Sequence, residues 1–199
     1  MKSPIPINVK GHQLNIREEK EFDNSEDAYH FYTIAKNRLL NIDNWDEICA
    51  LPLATFSLYT VDDSVNKTDR PEVGDFVKIK IPFPLFATQS EFDWVKIEEI
   101  TDEEMDDFKR TCIVLRPTDD PTSDIATTAH FFKPSATSSI CVEQHRNLVV
   151  VVYAGRNQQA NTSPNNVAVK LRNTLVTFGA KLGASYPQWK SLVKGIIRA

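Results

Sequence analysis

Apolar residues first recur with a helical period after an extended start. Residues 7–22, INVKGHQLNIREEKEF, alternate well enough to predict one or two short strands around Gly11. Asn24 is a natural N-cap, and Glu26 and Asp27 put negative groups where a helix dipole favours them. Ala28, Phe31, Tyr32, Ala35 and Leu39 then form one apolar stripe, which predicts an amphipathic helix. A second short turn is expected from Asp43-Asn44 through Trp45, Ile48 and Leu51, stopped by Pro52.

The period then changes to two. Strands are predicted over 54–60, 75–81, 93–100, 111–116, 138–144 and 148–154, with His145-Arg146-Asn147 as a hairpin turn between the last two. In the third of these, Val95 and Ile97 should face inward and Trp94, Lys96 and Glu98 outward. Leu148 to Tyr153 is apolar at every position, which predicts a central strand covered on both faces. The run TDEEMDDFKR, 101–110, opens like a capping box and is expected to form a short solvated helix rather than a cation site. From Pro164, the apolar spacing of Val167, Leu171, Leu175, Phe178 and Leu182 predicts a long helix ended by Gly183. A final helix is expected to carry Trp189, Leu192, Val193 and Ile196. The chain reads as a single α+β domain, 1–199.

This order, a strand, a helix pair, six or seven antiparallel strands and a long C-terminal helix, resembles the helix-grip fold of the START and Bet v 1-like superfamily. The segment Asn44-Trp45-Asp46-Glu47-Ile48 is similar to one common in that superfamily. The resemblance implies a curved antiparallel sheet wrapped around the C-terminal helix, enclosing a cavity for an apolar ligand. The helix after Gly183 and the acidic run between two strands depart from the pattern, and leave open a different sheet with helices packed on one face.

Composition adds a compartment and a charge layout. The 199 residues are 41% hydrophobic and 25% charged, ordinary for a globular protein, and the longest apolar run is far too short to span a bilayer. The start of the chain lacks the continuous apolar stretch of a signal peptide. Cys49, Cys112 and Cys141 are odd in number, widely spaced and without a CxxC pair, so reduced thiols in the cytoplasm are expected. Net charge is −4, but Glu143 is the last acidic residue and eight basic ones follow it. These are spread along an amphipathic pattern, which favours docking on the acidic remainder of the same chain over an anionic partner.

No catalytic, metal or nucleotide motif stands out, and His12, His30, His130 and His145 share no ligand spacing. Aromatic residues are the remaining clue. Tyr59, Phe76 and Trp94 fall on strand faces otherwise lysine- or glutamate-bearing, and Phe83 and Phe86 lie in a proline corner after the 75–81 strand. Asp93, Glu98 and Glu99 beside them repel phosphates and argue against nucleic acid. The leading expectation is non-catalytic binding of a small apolar or amphipathic molecule in a sheet–helix cavity. Trp45, Tyr59, Phe83, Phe86 and Trp94 would provide apolar contact, with Arg116 or Tyr153 as polar anchors and no cofactor. The rivals are a protein-docking or self-associating module, such as a homodimer, and a cyclase- or hydrolase-like enzyme in the same cavity.

Overall fold

The computed structural model describes residues 3–49, 51, 54–60, 70–80, 92–122, 132–159 and 186–198. The long helix expected from Pro164 and the proline corner with Phe83 and Phe86 lie outside these residues. Within them, one antiparallel sheet organises the chain. Its strands are β1 (His12–Glu21), β2 (Thr55–Tyr59), β3 (Phe76–Lys80), β4 (Asp93–Met105), β5 (Phe108–Pro117), β6 (Thr137–His145) and β7 (Leu148–Gln158), in the order β1-β7-β6-β5-β4-β3-β2. The sheet is curved, and α1 (Ser25–Leu40), α2 (Trp45–Ile48) and the C-terminal α3 (Tyr186–Ile197) accompany it.

The described helices form where the sequence places them. The Asn24 side chain accepts the Asp27 amide at 2.8 Å, capping α1, and the buried residues of α1 are the five of its apolar stripe. Trp189, Leu192, Val193 and Ile196 bury one face of α3. Ile16, Phe56, Val77, Ile97, Ile113, Leu115, Ile140, Val142, Val149, Val151 and Tyr153 meet these helices in one continuous core. Two polar side chains fasten α3. Arg38 of α1 donates to the Ile196 carbonyl (3.0 Å) and the Arg198 carbonyl, and the Ser191 hydroxyl takes the Leu51 amide (2.6 Å) and donates to its carbonyl (2.9 Å). A Cβ on Gly195 would sit 2.0 Å from the Ile48 carbonyl, so only glycine allows α3 to approach the end of α2 this closely.

β7 is buried on both faces at its centre, as its unbroken apolar run predicts: Val149, Val151 and Tyr153 face the helices, and Val150 and Ala154 are equally buried on the other side. The hairpin between β6 and β7 turns at Arg146 (φ 54°) and Asn147.

Three expectations are corrected. The acidic run 101–110 is not a helix. It is the end of β4, a two-residue turn at Asp106-Asp107, and the start of β5. Cross-strand ion pairs stabilise the extended form: Glu103 with Arg110 (2.6 Å), Glu104 with Lys109, and Arg110 also with Glu143 of β6 (3.8 Å). The acidic run is therefore no insertion between strands. Second, Cys112 and Cys141 are not reduced thiols. They sit directly opposite each other in the β5–β6 register and are bonded as a disulfide, leaving Cys49 free. Spacing hid the pair because 29 residues separate the two in the chain while the sheet makes them neighbours. Third, Trp94 does point away from the helices, but it is buried rather than outward in solvent. Tyr59 meets it edge-on at 5.5 Å, the Lys78 ammonium lies 5.4 Å from its ring, and its indole N–H donates to Asp120.

Candidate functional site

The sheet's two faces carry different chemistry, and register decides which residue lies on which. Facing the helices, a row of rings runs from Trp45 to Phe56 (5.3 Å, edge-on), from Phe56 to Trp189 (6.0 Å), and from Trp189 to Tyr153 (5.0 Å, stacked). Trp45 is fully buried, and its indole N–H donates to the Leu39 carbonyl at 3.1 Å, closing the end of α1 against α2. Its position makes it a structural anchor at the inner end of the row.

Tyr153 ends the row in a polar cluster. Its hydroxyl is 2.9 Å from the Ser138 hydroxyl and receives a hydrogen bond from the Gln158 amide at 3.2 Å. Gly155 makes room for this contact, because a Cβ there would come within 2.3 Å of the Gln158 nitrogen. Burial pushes the Tyr153 phenol well above its ordinary range, against the pull of Ser138, Gln158 and the Arg156 charge, so it stays a neutral donor. Ser138 is only half-buried, which places the polar end of the row towards the rim of the sheet–helix layer.

A second polar link on the same face ties α1 to the β4–β5 hairpin. The Thr111 hydroxyl donates to Asp102 (2.7 Å), Tyr32 is hydrogen-bonded to Thr111 (2.8 Å), and Lys36 pairs with Asp102. Burial raises the Tyr32 phenol to about 12, with Thr111 opposing and Asp102 adding to the rise. At Asp102, desolvation is outweighed by Lys36 and Thr111, and the carboxyl is held below its ordinary value.

The opposite face is basic and aromatic at one end. The ladder Tyr59–Phe76–Lys96 crosses β2, β3 and β4, and Lys78 stands next to Trp94. Lys78 lies 3.7 Å from the Phe92 ring centroid, and Lys96 5.8 Å from that of Phe76. Arg116 continues this face into β5, paired with Glu98 and donating to the Pro134 carbonyl at 2.9 Å. The sheet therefore separates the expected binding residues: Trp45 and Tyr153 lie on the helix side, and Tyr59, Trp94 and Arg116 on the other. Sequence reading did not find Ser138, Gln158 or Trp189 as partners of Tyr153. The hydroxyl run Thr137-Ser138-Ser139, which opens β6 ahead of the apolar Ile140-Cys141-Val142, was the available signal. Among the described residues, no group of three His, Cys, Asp or Glu side chains could hold a metal ion, and no helix is long and apolar enough to cross a membrane.

No protein-family model matches the chain, and no curated protein sequence does. Solved structures do. A hypothetical protein from Helicobacter pylori superposes with a TM-score of 0.53 at 11% identity, covering 97% of both chains. Truncated norcoclaurine synthase from Thalictrum flavum gives 0.40 at 10% identity, covering 98% of this chain and 99% of that one. Ara h 8.0201 gives 0.34 at 10% identity, covering 94% of this chain and all of its own. The structural neighbours thus include Bet v 1-like proteins, and the Helicobacter protein has the same fold as this chain.

Proposed function

We propose that this chain binds a small apolar or amphipathic molecule, without transforming it, between the sheet and its helices. The observation that carries this reading is Tyr153: one buried hydroxyl at the end of a row of rings, held by two uncharged side chains that can re-pair with a ligand. The flanking faces of Phe56 and Trp189 supply apolar contact, and the Ser138–Tyr153–Gln158 cluster supplies a single orienting polar group. A neutral phenol whose described partners are a serine and a glutamine is suited to hydrogen bonding rather than to proton abstraction. Titration with a neutral fluorescent naphthylamine tests the reading. Saturation near one probe per chain, with quenching of tryptophan emission and weakening in Tyr153→Phe, supports it. Probe uptake that is absent, or unchanged in that variant, overturns it.

Self-association is favoured by a separate observation. Ile7 and Val9 are 82% and 86% exposed on the segment leading into β1, and β1 is an edge strand. A dimer mass in light scattering that reverts to monomer in Ile7→Ser/Val9→Ser supports it, and a monomer at high concentration refutes it. The Cys112–Cys141 bridge removes the basis for a cytoplasmic assignment, and we infer that the chain matures where such a bond forms and persists.

A further inference from the structure

The Ser138–Tyr153–Gln158 cluster has a direction, set by which of its atoms can donate. The Gln158 side-chain nitrogen is a donor only, and it donates to the Tyr153 oxygen at 3.2 Å. The Tyr153 hydroxyl is neutral and its residue fully buried, so its single proton needs a protein acceptor. Among the described residues, the Ser138 oxygen at 2.9 Å is the acceptor in reach. The order is therefore Gln158 to Tyr153 to Ser138, each hydroxyl accepting from the group behind it and donating to the next.

Ser138 stands at the open end of this chain of donors. Its oxygen receives the Tyr153 proton, so its own proton points elsewhere, and no described residue accepts it. Tyr153 and Gln158 are 0% and 4% exposed, whereas Ser138 is half-buried, so a water-sized molecule reaches it. Its cross-strand neighbours are Gly155 of β7, which adds no side chain, and Leu115 of β5, which offers only carbon. All three members of the cluster are uncharged, and Arg156 commits Nη1 to the Gly155 and Leu14 carbonyls. An anion brought to Ser138 would lose its hydration without a paired cation, which costs far more than the same transfer of a carbonyl group.

We propose that the polar group recognised here is an uncharged hydrogen-bond acceptor, the carbonyl oxygen of an otherwise apolar molecule, which takes the outward proton of Ser138. This rests on the binding reading above and narrows its ligand from any small amphipathic molecule to apolar carbonyl compounds. Ser138 is the residue that touches the ligand's polar atom. Tyr153 and Gln158 are positioning residues, because they fix which way the Ser138 proton points, and Trp189, stacked on Tyr153 at 5.0 Å, supplies the apolar surface beside them.

The test displaces the fluorescent naphthylamine with three probes of one shape: 2-acetylnaphthalene, its hydrocarbon isostere 2-isopropenylnaphthalene, and 2-naphthoate. The affinity ratio of ketone to hydrocarbon should fall about tenfold in Ser138→Ala, the worth of one hydrogen bond whose loss leaves a desolvated hydroxyl. Taking the ratio in both proteins cancels the difference in hydrophobicity between the probes. The infrared carbonyl stretch of the bound ketone, which needs no variant, should lie below its value in hexane, and in Ser138→Ala it should return to that value. An unchanged ratio or an unshifted stretch, with the naphthylamine still bound, overturns the carbonyl assignment and leaves the broader binding reading standing. Naphthoate binding more tightly than the ketone overturns the uncharged acceptor. A chain that takes up none of the probes overturns both readings together.

Discussion

Refolding the chain with its cysteines reduced should cost a calculable amount of stability. Cys112 and Cys141 close a loop of 29 residues, and both are essentially buried. In the chain-entropy account, restricting the unfolded chain by a loop of that length is worth about 3.6 kcal/mol at room temperature. Reductant reaches a buried bond only through unfolding. The protein must therefore be reduced in denaturant and refolded with reductant present, then compared with the oxidised form by urea titration. With a slope of about 2 kcal/mol per molar urea, the midpoint should fall by roughly 1.8 M. Thiol titration of the oxidised protein in denaturant should find one reactive group, Cys49. In the native state Cys49 should label slowly, because burial raises its thiol, with only Ser191 opposing. Three thiols in the oxidised preparation, or coincident urea curves with and without reductant, would refute the cross-strand pairing and restore the reduced-thiol reading of the compartment.

Two further perturbations probe the layer that positions the site. Trp45→Ala removes a fully buried ring with its bond to Leu39 and should cost about 3–5 kcal/mol in urea unfolding; a loss below about 1 kcal/mol would mean Trp45 is not the anchor of the α1–α2 corner. Asp102→Asn should cost at most about 1 kcal/mol at neutral pH, because the carboxylate is more than half exposed. A carboxyl held low contributes stability above its ordinary value of 3.8 and loses it as pH falls through the folded value, so the gap between Asp102→Asn and the unmodified chain should close below that pH. A gap that does not begin to narrow as pH falls below 3.8 would contradict the Lys36–Asp102–Thr111 link.

The helices and the central strands were legible because local signals and burial agree there. The Asn24 cap, the five-residue stripe of α1, the apolar run of β7 and the turn after His145 each follow from near neighbours in the chain. The misread elements depend on partners far away in sequence. Thr101-Asp-Glu-Glu104 has the spacing of a capping box, yet Arg110, Lys109 and Glu143 across the ladder make the extended form the paired one. The side-chain alternation of β4 held through Ile97, but the register shift between Ile97 and Glu99 and the Asp120 carboxylate that covers Trp94 are tertiary facts. The cysteine pair is a matter of sheet register alone. The candidate site was legible only as the isolated residues Tyr153 and Arg116. That they occupy opposite faces, one with Trp189, Ser138 and Gln158 and the other with Glu98 and the Pro134 carbonyl, required the strand order.

Native mass spectrometry of freshly purified chain, followed by organic extraction, tests the central claim most directly. The account predicts a co-purified small molecule of apolar or amphipathic character at about one per chain, with occupancy reduced in Tyr153→Phe. A chain that is free of bound small molecules, and stays so after incubation with apolar compounds, would contradict it.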